Sequence, residues 1–213
     1  LVLVLSGKRD SDHWENLDTR PLQNYDFYDL KGCLEGLFQD LHLSAHEFVP
    51  ATHPFLHPGK SAEVKHRGQV LACLGELHPR VAESFGLGAT PVQVAEVYLE
   101  PLLAALPVRH PYLSFSRYPA ALRDIAVIVP EETPAVVVEK EIRSGGGDLI
   151  QAVRLFDVYR GDSIPTGTKS LAYSLGYQAS DRTLSDKEVE KAHKGVENRL
   201  RHVLKARIRG QDT

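Results

Sequence analysis

The nine residues SLAYSLGYQ, positions 170–178, alternate apolar and small or polar side chains with the two-residue period of a β-strand. We expect one face to be the core side, and this face carries Leu171, Tyr173, Leu175 and Tyr177. The opposite face carries only small or polar residues, namely Ser170, Ala172, Ser174, Gly176 and Gln178. This division is typical of an antiparallel sheet that is covered on one side.

The elements around this strand follow the order β-α-β-β-α-β. We predict strands over Arg123–Val129, Leu149–Tyr159, Ser170–Gln178 and Lys205–Arg209. The first helix should have Thr133 as its cap and Pro134 at its first position, and should end at Gly145. The second helix opens with the capping box Ser185-Asp-Lys-Glu188. The order predicts a ferredoxin-like, split βαβ domain.

The first half of the chain predicts a different α+β domain. We expect strands at Leu1–Leu5, Ala62–Lys65, Gln69–Gly75 and Val92–Leu99. A helix with a one-sided apolar stripe should begin at Asp29 as its cap, and a short helix should cover Pro79–Phe85. The segment Phe55–Lys60 should be a turn, because it contains the pair Pro58-Gly59.

A proline-containing stretch separates the two expected domains. Residues 106–119 contain three prolines, which fix φ and interrupt regular pairing. The charge balance changes at the same place. Residues 1–110 carry 9 Lys and Arg against 14 Asp and Glu, net −5, whereas residues 111–213 carry 16 against 14, net +2. We therefore expect domains at 1–110 and 111–213.

The composition excludes several classes of protein. Hydrophobic residues make up 42% of the chain and charged residues 25%, which is sufficient for a globular core. The longest apolar run, Leu1–Leu5, is far shorter than the ~20 residues of a membrane span, and its flanks lack signal-peptide features. Only Cys33 and Cys73 are present, so we expect a reducing, cytoplasmic environment. The chain has no methionine and starts inside an expected strand, so we expect it to be part of a longer polypeptide.

The second helix of the second half has a basic stripe opposite its apolar stripe. The basic stripe consists of Lys187, Lys191, Lys194, Arg201 and Lys205, and the apolar stripe of Val189, Ala192, Val196, Leu200 and Val203. The lysines could face nucleic-acid phosphates, or they could form a solvated surface. Because Glu188, Glu190 and Glu197 dilute the positive charge, the sequence favours the solvated surface.

The sequence contains no recognisable catalytic constellation. The run Gly161-x5-Gly167-Thr-Lys-Ser170 is similar to a phosphate-binding loop but precedes a strand, whereas such a loop must deliver the anion to a helix N-terminus. His53 and His57 are four residues apart, but the prolines that follow them prevent the helix that would align them on a metal. We expect no catalytic residue and no metal ligand in this chain.

Seven short sequence segments together carry a resemblance to a known protein family. The second half contains YPAALRDIA (118–126), LFDVYRG (155–161), KSLAYS (169–174) and RTLSD (182–186). The first half contains DFYDLKG (26–32), HPGKSA (57–62) and LGELHP (74–79). In this order and spacing, along nearly all 213 residues, the chain resembles the C-terminal part of the bacterial phenylalanine–tRNA ligase β-subunit family.

The resemblance implies a fold and a division of labour. The first half should be a class II synthetase-like antiparallel-sheet domain without catalytic activity, and the second a ferredoxin-fold anticodon-binding domain. In the family, an α subunit carries the active site, and an (αβ)₂ assembly charges phenylalanine tRNA. ATP and magnesium serve the whole enzyme, and no cofactor is expected in this part. The segment Val92–Leu103 agrees with a first half without catalytic activity, because it lacks the glycine and the arginine that an ATP site of this class requires.

The resemblance and the alternating strand together indicate a tRNA-binding surface on the open sheet face. Near the bases we expect Asp124, Ser170, Ala172, Ser174 and Gln178, and at the edges Arg117, Arg123, Tyr159, Lys169 and Arg182. The strand phase places Arg123 on the core side, where it could instead pair with a structural carboxylate such as Asp157. Tyr159 could equally be a packing residue. The aromatic stacking motifs of standard RNA-recognition modules are absent, so base recognition should depend on hydrogen bonds and backbone shape.

Two other functions stay open from the sequence. The net charge of +2 in the second half is modest for a tRNA binder, so both domains could serve only in assembly. Ferredoxin-like folds also host many small-ligand functions, so a metabolite-binding regulatory module is a further possibility.

Overall fold

A computed structural model describes residues 1–9, 23–109 and 116–209. The chain divides into two compact units, Leu1–Tyr112 and Leu113–Thr213. Among the described residues, no helix is both long enough and apolar enough to span a bilayer.

The first unit is a five-stranded antiparallel sheet with two of its helices packed on one face. Its strands are β1 (Val2–Ser6), β2 (His46–Pro50), β3 (Leu56–His66), β4 (Gln69–Leu77) and β5 (Val92–Val97), in the spatial order β1-β5-β4-β3-β2. Its helices are α1 (Phe27–Asp40), α2 (Pro79–Ser84) and α3 (Leu99–Ala105). Leu34 and Phe38 of α1 and Leu102 of α3 join sheet residues such as Leu74 in one buried core.

Two local predictions for the first unit are wrong. The cap of α1 is Asp26 rather than Asp29. The Asp26 carboxylate accepts from the Tyr28 and Asp29 backbone N–H groups, and the Asp29 carboxylate accepts from the Asp26 N–H. The predicted turn at Phe55–Lys60 is instead part of β3, whose register against β4 shifts between Leu56 and Ser61. Long-range pairing with β4 therefore overrides the local turn preference. The sequence prediction also missed strand β2.

The second unit confirms the predicted order β-α-β-β-α-β. Its elements are β6 (Ala121–Pro130), α4 (Ala135–Gly146), β7 (Ile150–Tyr159), β8 (Thr168–Tyr177), α5 (Asp186–Val203) and β9 (Arg207–Ile208). The sheet order is β7-β8-β6-β9, and all neighbouring pairs are antiparallel. The Ser185–Glu188 capping box is present at the start of α5. At α4, Pro134 occupies the cap itself and no side chain caps the helix, so the predicted Thr133 cap is wrong.

Both helices of the second unit pack on the predicted core face of β8. Leu171, Tyr173, Leu175 and Tyr177 are each at most 1% exposed. They lie in one cluster with Val138 and Ile142 of α4 and with Val189, Val196 and Leu200 of α5. The Tyr173 hydroxyl donates to the Ala135 carbonyl at 3.0 Å, so its buried polar atom is satisfied.

Helices α4 and α5 approach each other closely because glycine lies on both sides of their contact. A Cβ atom on Gly145 would lie 2.7 Å from the Val196 Cα, and one on Gly195 would lie 2.8 Å from the Gly145 carbonyl oxygen. Both obstacles are backbone atoms, which cannot rotate away. The separation of the two helices therefore depends on these glycines.

Substitution of Gly145 by alanine should destabilise the second unit. The added methyl group must push α4 away from α5, and overpacking of this kind costs about 1–3 kcal/mol. The free energy of unfolding, measured by urea denaturation followed by circular dichroism, should fall by that amount. The control is Gly36→Ala on the exposed surface of α1, where a Cβ meets nothing within 4 Å. That variant should be more stable by about 0.5–1 kcal/mol, since helical glycine is entropically costly. Equal effects at the two sites would contradict the packing argument.

Candidate nucleic-acid interface

The sheet face opposite α4 and α5 has two central cross-strand rows of small and charged side chains. One row joins Arg154 of β7, Ser174 of β8 and Asp124 of β6. The next row joins Asp157, Ala172 and Ala126 in the same strand order. Ala172, Ser174 and Ala126 are half-buried, whereas the flanking charged residues are exposed. On the first row, the small side chain of Ser174 therefore lies between a guanidinium and a carboxylate.

A β-bulge in β7 determines which side chains join this face. Leu155 pairs with Tyr173 on the core side, but the next paired residue is Asp157, opposite Ala172. Phe156 is the extra residue and is 53% exposed. The extra residue reverses the alternation, so Asp157 and Tyr159 lie on the open face together with Arg154.

The predicted base-contacting residues differ in accessibility. Asp124 is exposed, and Ala172 and Ser174 are half-buried. Ser170 lies on the same face but is only 3% exposed, so its expected accessibility is wrong. It lies between Tyr159 and Ile128 on its row, and these larger side chains flank it.

Gln178 anchors the chain rather than projecting from the open face. Its side-chain amide donates to the Tyr118 carbonyl at 2.5 Å. The neighbouring Ala179 carbonyl accepts from the Ser116 hydroxyl at 3.0 Å. These bonds tie the segment before β6 to the end of β8. Arg117 is exposed within the tied segment.

Arg123 lies on the helix side of the sheet, opposite the buried Leu175. Its guanidinium is 3.7 Å from the Asp186 carboxylate at the start of α5. The expected pairing with a structural carboxylate is therefore present, but the partner is Asp186 and not Asp157, which lies on the other face. Arg123 is therefore placed to hold α5 rather than to meet a base on the open face.

The other predicted edge residues already have partners within the protein. Lys169 donates to the Glu131 carbonyl at 2.7 Å, at the end of the sheet. The Tyr159 hydroxyl accepts from the Ser163 hydroxyl at 2.9 Å, and the Arg209 guanidinium lies 5.3 Å from the centre of its ring. Tyr159 is thus both a packing residue and part of the open face.

Arg182 belongs to the cap of α5. It lies 3.0 Å from the Asp181 carboxylate and 2.8 Å from that of Glu188. The Ser185 backbone N–H, together with Arg182, lowers the pKa of Glu188 to about 2. Because two carboxylates surround one guanidinium, this corner offers little net attraction for phosphate.

Three arginines on the open face were missed by the sequence prediction. Arg154 belongs to β7, Arg207 pairs with Ile128 on the open-face side of β9, and Arg209 follows two residues later. Arg154 and Asp124 form no ion pair with any residue that the structure describes. The spacing of Arg207 and Arg209 around the buried Ile208 was a usable signal, since it repeats the two-residue period of the strand.

Comparison with known proteins identifies the family. Residues 116–209 match the family model described as the ferredoxin-fold anticodon binding domain, and residues 1–99 match that described as the phenylalanyl tRNA synthetase beta chain CLM domain. The chain is 44% identical over 204 residues to the phenylalanine–tRNA ligase beta subunit of Symbiobacterium thermophilum, covering 96% of this chain and 22% of that protein. This chain belongs to the phenylalanine–tRNA ligase beta-subunit family.

Other members of the phenylalanine–tRNA ligase beta-subunit family give the same result. The beta subunit of Moorella thermoacetica is 44% identical over 192 residues, which are 89% of this chain and 24% of the relative. That of Geobacillus kaustophilus is 41% identical over 211 residues, which are 99% of this chain and 26% of the relative. The chain therefore spans about a quarter of the length of these relatives.

One face of the sheet in the first unit carries two carboxylates on a single row. Glu63, Cys73 and Glu96 lie on one row across β3, β4 and β5, on the face opposite Leu74 and Ala95. A triphosphate on this face would meet two carboxylates, and the nearby Lys65 is already 3.2 Å from Glu63. Burial raises the pKa of the Cys73 thiol, which therefore stays protonated and unreactive near neutral pH.

Within residues 1–9, 23–109 and 116–209, no three His, Cys, Asp or Glu side chains are placed to hold a metal ion.

Stability of the second unit should depend on pH through His193 of α5. Its Nδ1 lies 3.0 Å from the hydroxyl of the buried Tyr177, and its Nε2 lies 3.6 Å from Glu197. Burial lowers the pKa of His193 below its usual range. The unfolded chain therefore takes up the proton first, so stability is full above pH ~6.5 and declines as pH falls towards the lowered folded-state pKa.

The comparison variant for this pH dependence is His193→Gln, which can still bond Tyr177 but does not titrate. Urea denaturation between pH 7 and 5 should show a smaller loss of stability for this variant than for the wild type. Identical slopes for the two proteins would rule out His193 as a source of the pH dependence.

Proposed function

We propose that the second unit binds the anticodon region of a tRNA on the open face of its sheet. The observation that carries this proposal is the row in which Ser174 separates Arg154 from Asp124. Neither charged group has an ion-pair partner among the described residues. The Ser174 side chain between them is small enough for a flat base to approach the sheet. A match to an anticodon-binding family model over residues 116–209 supports RNA binding by this unit.

The chemistry of the face suits an RNA loop. Arginine donates to phosphate or to base acceptors, whereas the Asp124 carboxylate accepts from base amino groups. Small side chains at Ala172 and Ala126 let a base contact the sheet itself. Arg207 and Arg209 lie at the β9 edge, where they can neutralise the backbone of a bound strand.

We propose further that this chain acts within a phenylalanine–tRNA ligase. There the β subunit would assemble with an α subunit as an (αβ)₂ heterotetramer in the cytoplasm and charge phenylalanine tRNA. ATP and magnesium would be bound by parts of the enzyme outside these residues, and the first unit would serve assembly. The two carboxylates on one row of that unit's sheet, which are unfavourable for a triphosphate, support a role without catalysis.

Substitution of Ala172 by leucine should obstruct the proposed base site. The larger side chain would stand in the middle of the open face without entering the core, because the core side of β8 is the other face. Affinity for phenylalanine tRNA should fall about tenfold, which corresponds to ~1.4 kcal/mol. Fluorescence titration at about 50 and 200 mM salt, with phenylalanine tRNA and a tRNA of different anticodon, measures both affinity and discrimination.

The matched control for this titration is Ala89→Leu, which makes the same change at an exposed position of the first unit. It should leave both affinities unchanged. Unaltered tRNA binding by Ala172→Leu would count against the open face as the binding surface. Failure of the wild type to bind either tRNA would favour a purely structural role, and binding of a small metabolite without salt dependence would favour a regulatory module.

A further inference from the structure

The outer face of α5 carries a row of exposed lysines on the side remote from the sheet. Lys187, Lys191 and Lys194 are exposed, whereas Val189, Val196 and Leu200 are at most 1% exposed against the sheet. The lysines line a shallow groove together with Asn198. The helical rise places them about 6 and 4.5 Å apart along the axis, so the three lysines form one continuous row.

The glutamates that dilute this row in the sequence are mostly turned away from it in the structure. Glu188 is held in the α5 cap, where its carboxylate accepts from Ser185 and Arg182. Glu197 is only 8% exposed and points to His193. Glu190 alone of the three faces the row, and it pairs with Lys194 at 2.9 Å. Among the described residues, Lys187 and Lys191 have no ion-pair partner, so the row has a net positive charge.

The chemistry of the row favours nucleic-acid phosphate over a protein partner. Protein interfaces need an apolar core, and along α5 the exposed large apolar residue is Val203, at the far end of the helix. Lysine binds phosphate as a point charge without requiring a fixed geometry. The row and the open sheet face lie on opposite sides of the second unit, so one RNA loop cannot occupy both.

We propose that Lys187, Lys191 and Lys194 bind the phosphate backbone of an RNA segment other than the one held on the sheet. This site goes beyond the proposed anticodon-binding function, because it recognises backbone charge and not base identity. It would add affinity without adding sequence discrimination.

The test compares the 213-residue chain with Lys187→Gln/Lys191→Gln, using phenylalanine tRNA and a short RNA duplex without a loop. Fluorescence anisotropy between about 50 and 200 mM salt gives the dependence of log K on log salt. Loss of two phosphate contacts should reduce the slope by about 1.4–1.8 for both RNAs. Affinity at the lower salt should fall several-fold, while the ratio between tRNAs of different anticodon stays unchanged.

Two further variants control for charge and for folding. Lys140→Gln removes an exposed lysine of α4 that has no ion-pair partner in the described part of the chain, and it should leave the slope unchanged. Lys187→Arg/Lys191→Arg keeps the charge and should keep the wild-type slope. Circular dichroism confirms that α5 stays folded in every variant.

Each other outcome has a definite meaning. An unchanged slope in the glutamine double variant, the same reduction in Lys140→Gln, or no duplex binding by the wild type would overturn the proposal. Unchanged RNA binding with loss of binding to an acidic peptide would assign the row to a protein partner instead. If the double variant lowers the slope but the wild type does not discriminate between anticodons, the lysine row stands and the anticodon-binding function fails.

Discussion

The fold of the second unit depends on the burial of one face of its central strand, β8. Leu171, Tyr173, Leu175 and Tyr177 of β8 pack against α4 and α5, and each is almost completely removed from solvent. A shift of β8 by one residue would turn these four side chains towards water and the small residues towards the core. Burying four large side chains contributes roughly 1.5–3 kcal/mol each, so the register is strongly held. The same register places Ala172 and Ser174 on the opposite face. The register of β8 therefore determines both the packing of the core and the side chains of the candidate site.

The charge on the open face depends on a local departure from that regularity. The extra residue in β7 at Phe156 reverses the alternation of the strand, so that Arg154, Asp157 and Tyr159 share a face. Without the bulge, Tyr159 would fall on the side of Leu155. Arg154 and Asp124 then lie two strands apart across Ser174, about 9.6 Å at the usual strand spacing. Neither group forms an ion pair with a residue that the structure describes, so both are available to a ligand.

Some charged side chains of helix α5 are held by contacts within the protein, whereas others are available to a ligand. At its start, the capping box is formed by Ser185 and Glu188. Two ion pairs surround this cap, namely Arg182 with Glu188 and Arg123 with Asp186. On its inner side, His193 and Glu197 lie beside the buried Tyr177. On its outer side the lysines have few partners. A helix whose sequence shows similar numbers of acidic and basic residues thus has one predominantly basic surface, because neutralising groups are held elsewhere.

Patterns in the amino-acid sequence are sufficient to predict the α+β class, the order of elements in the second unit, the core face of β8 and the capping box of α5. These depend on local periodicity and on neighbouring residues, which a linear pattern records. Tertiary contacts were needed to establish four further features: the path of β3 through Pro58 and Gly59, the Asp186 partner of Arg123, the burial of Ser170 and the place of Arg154 on the open face. Each of these depends on pairing between distant strands or on a bulge that changes the register. A linear pattern carries no information about which distant residue supplies a hydrogen bond or a charge.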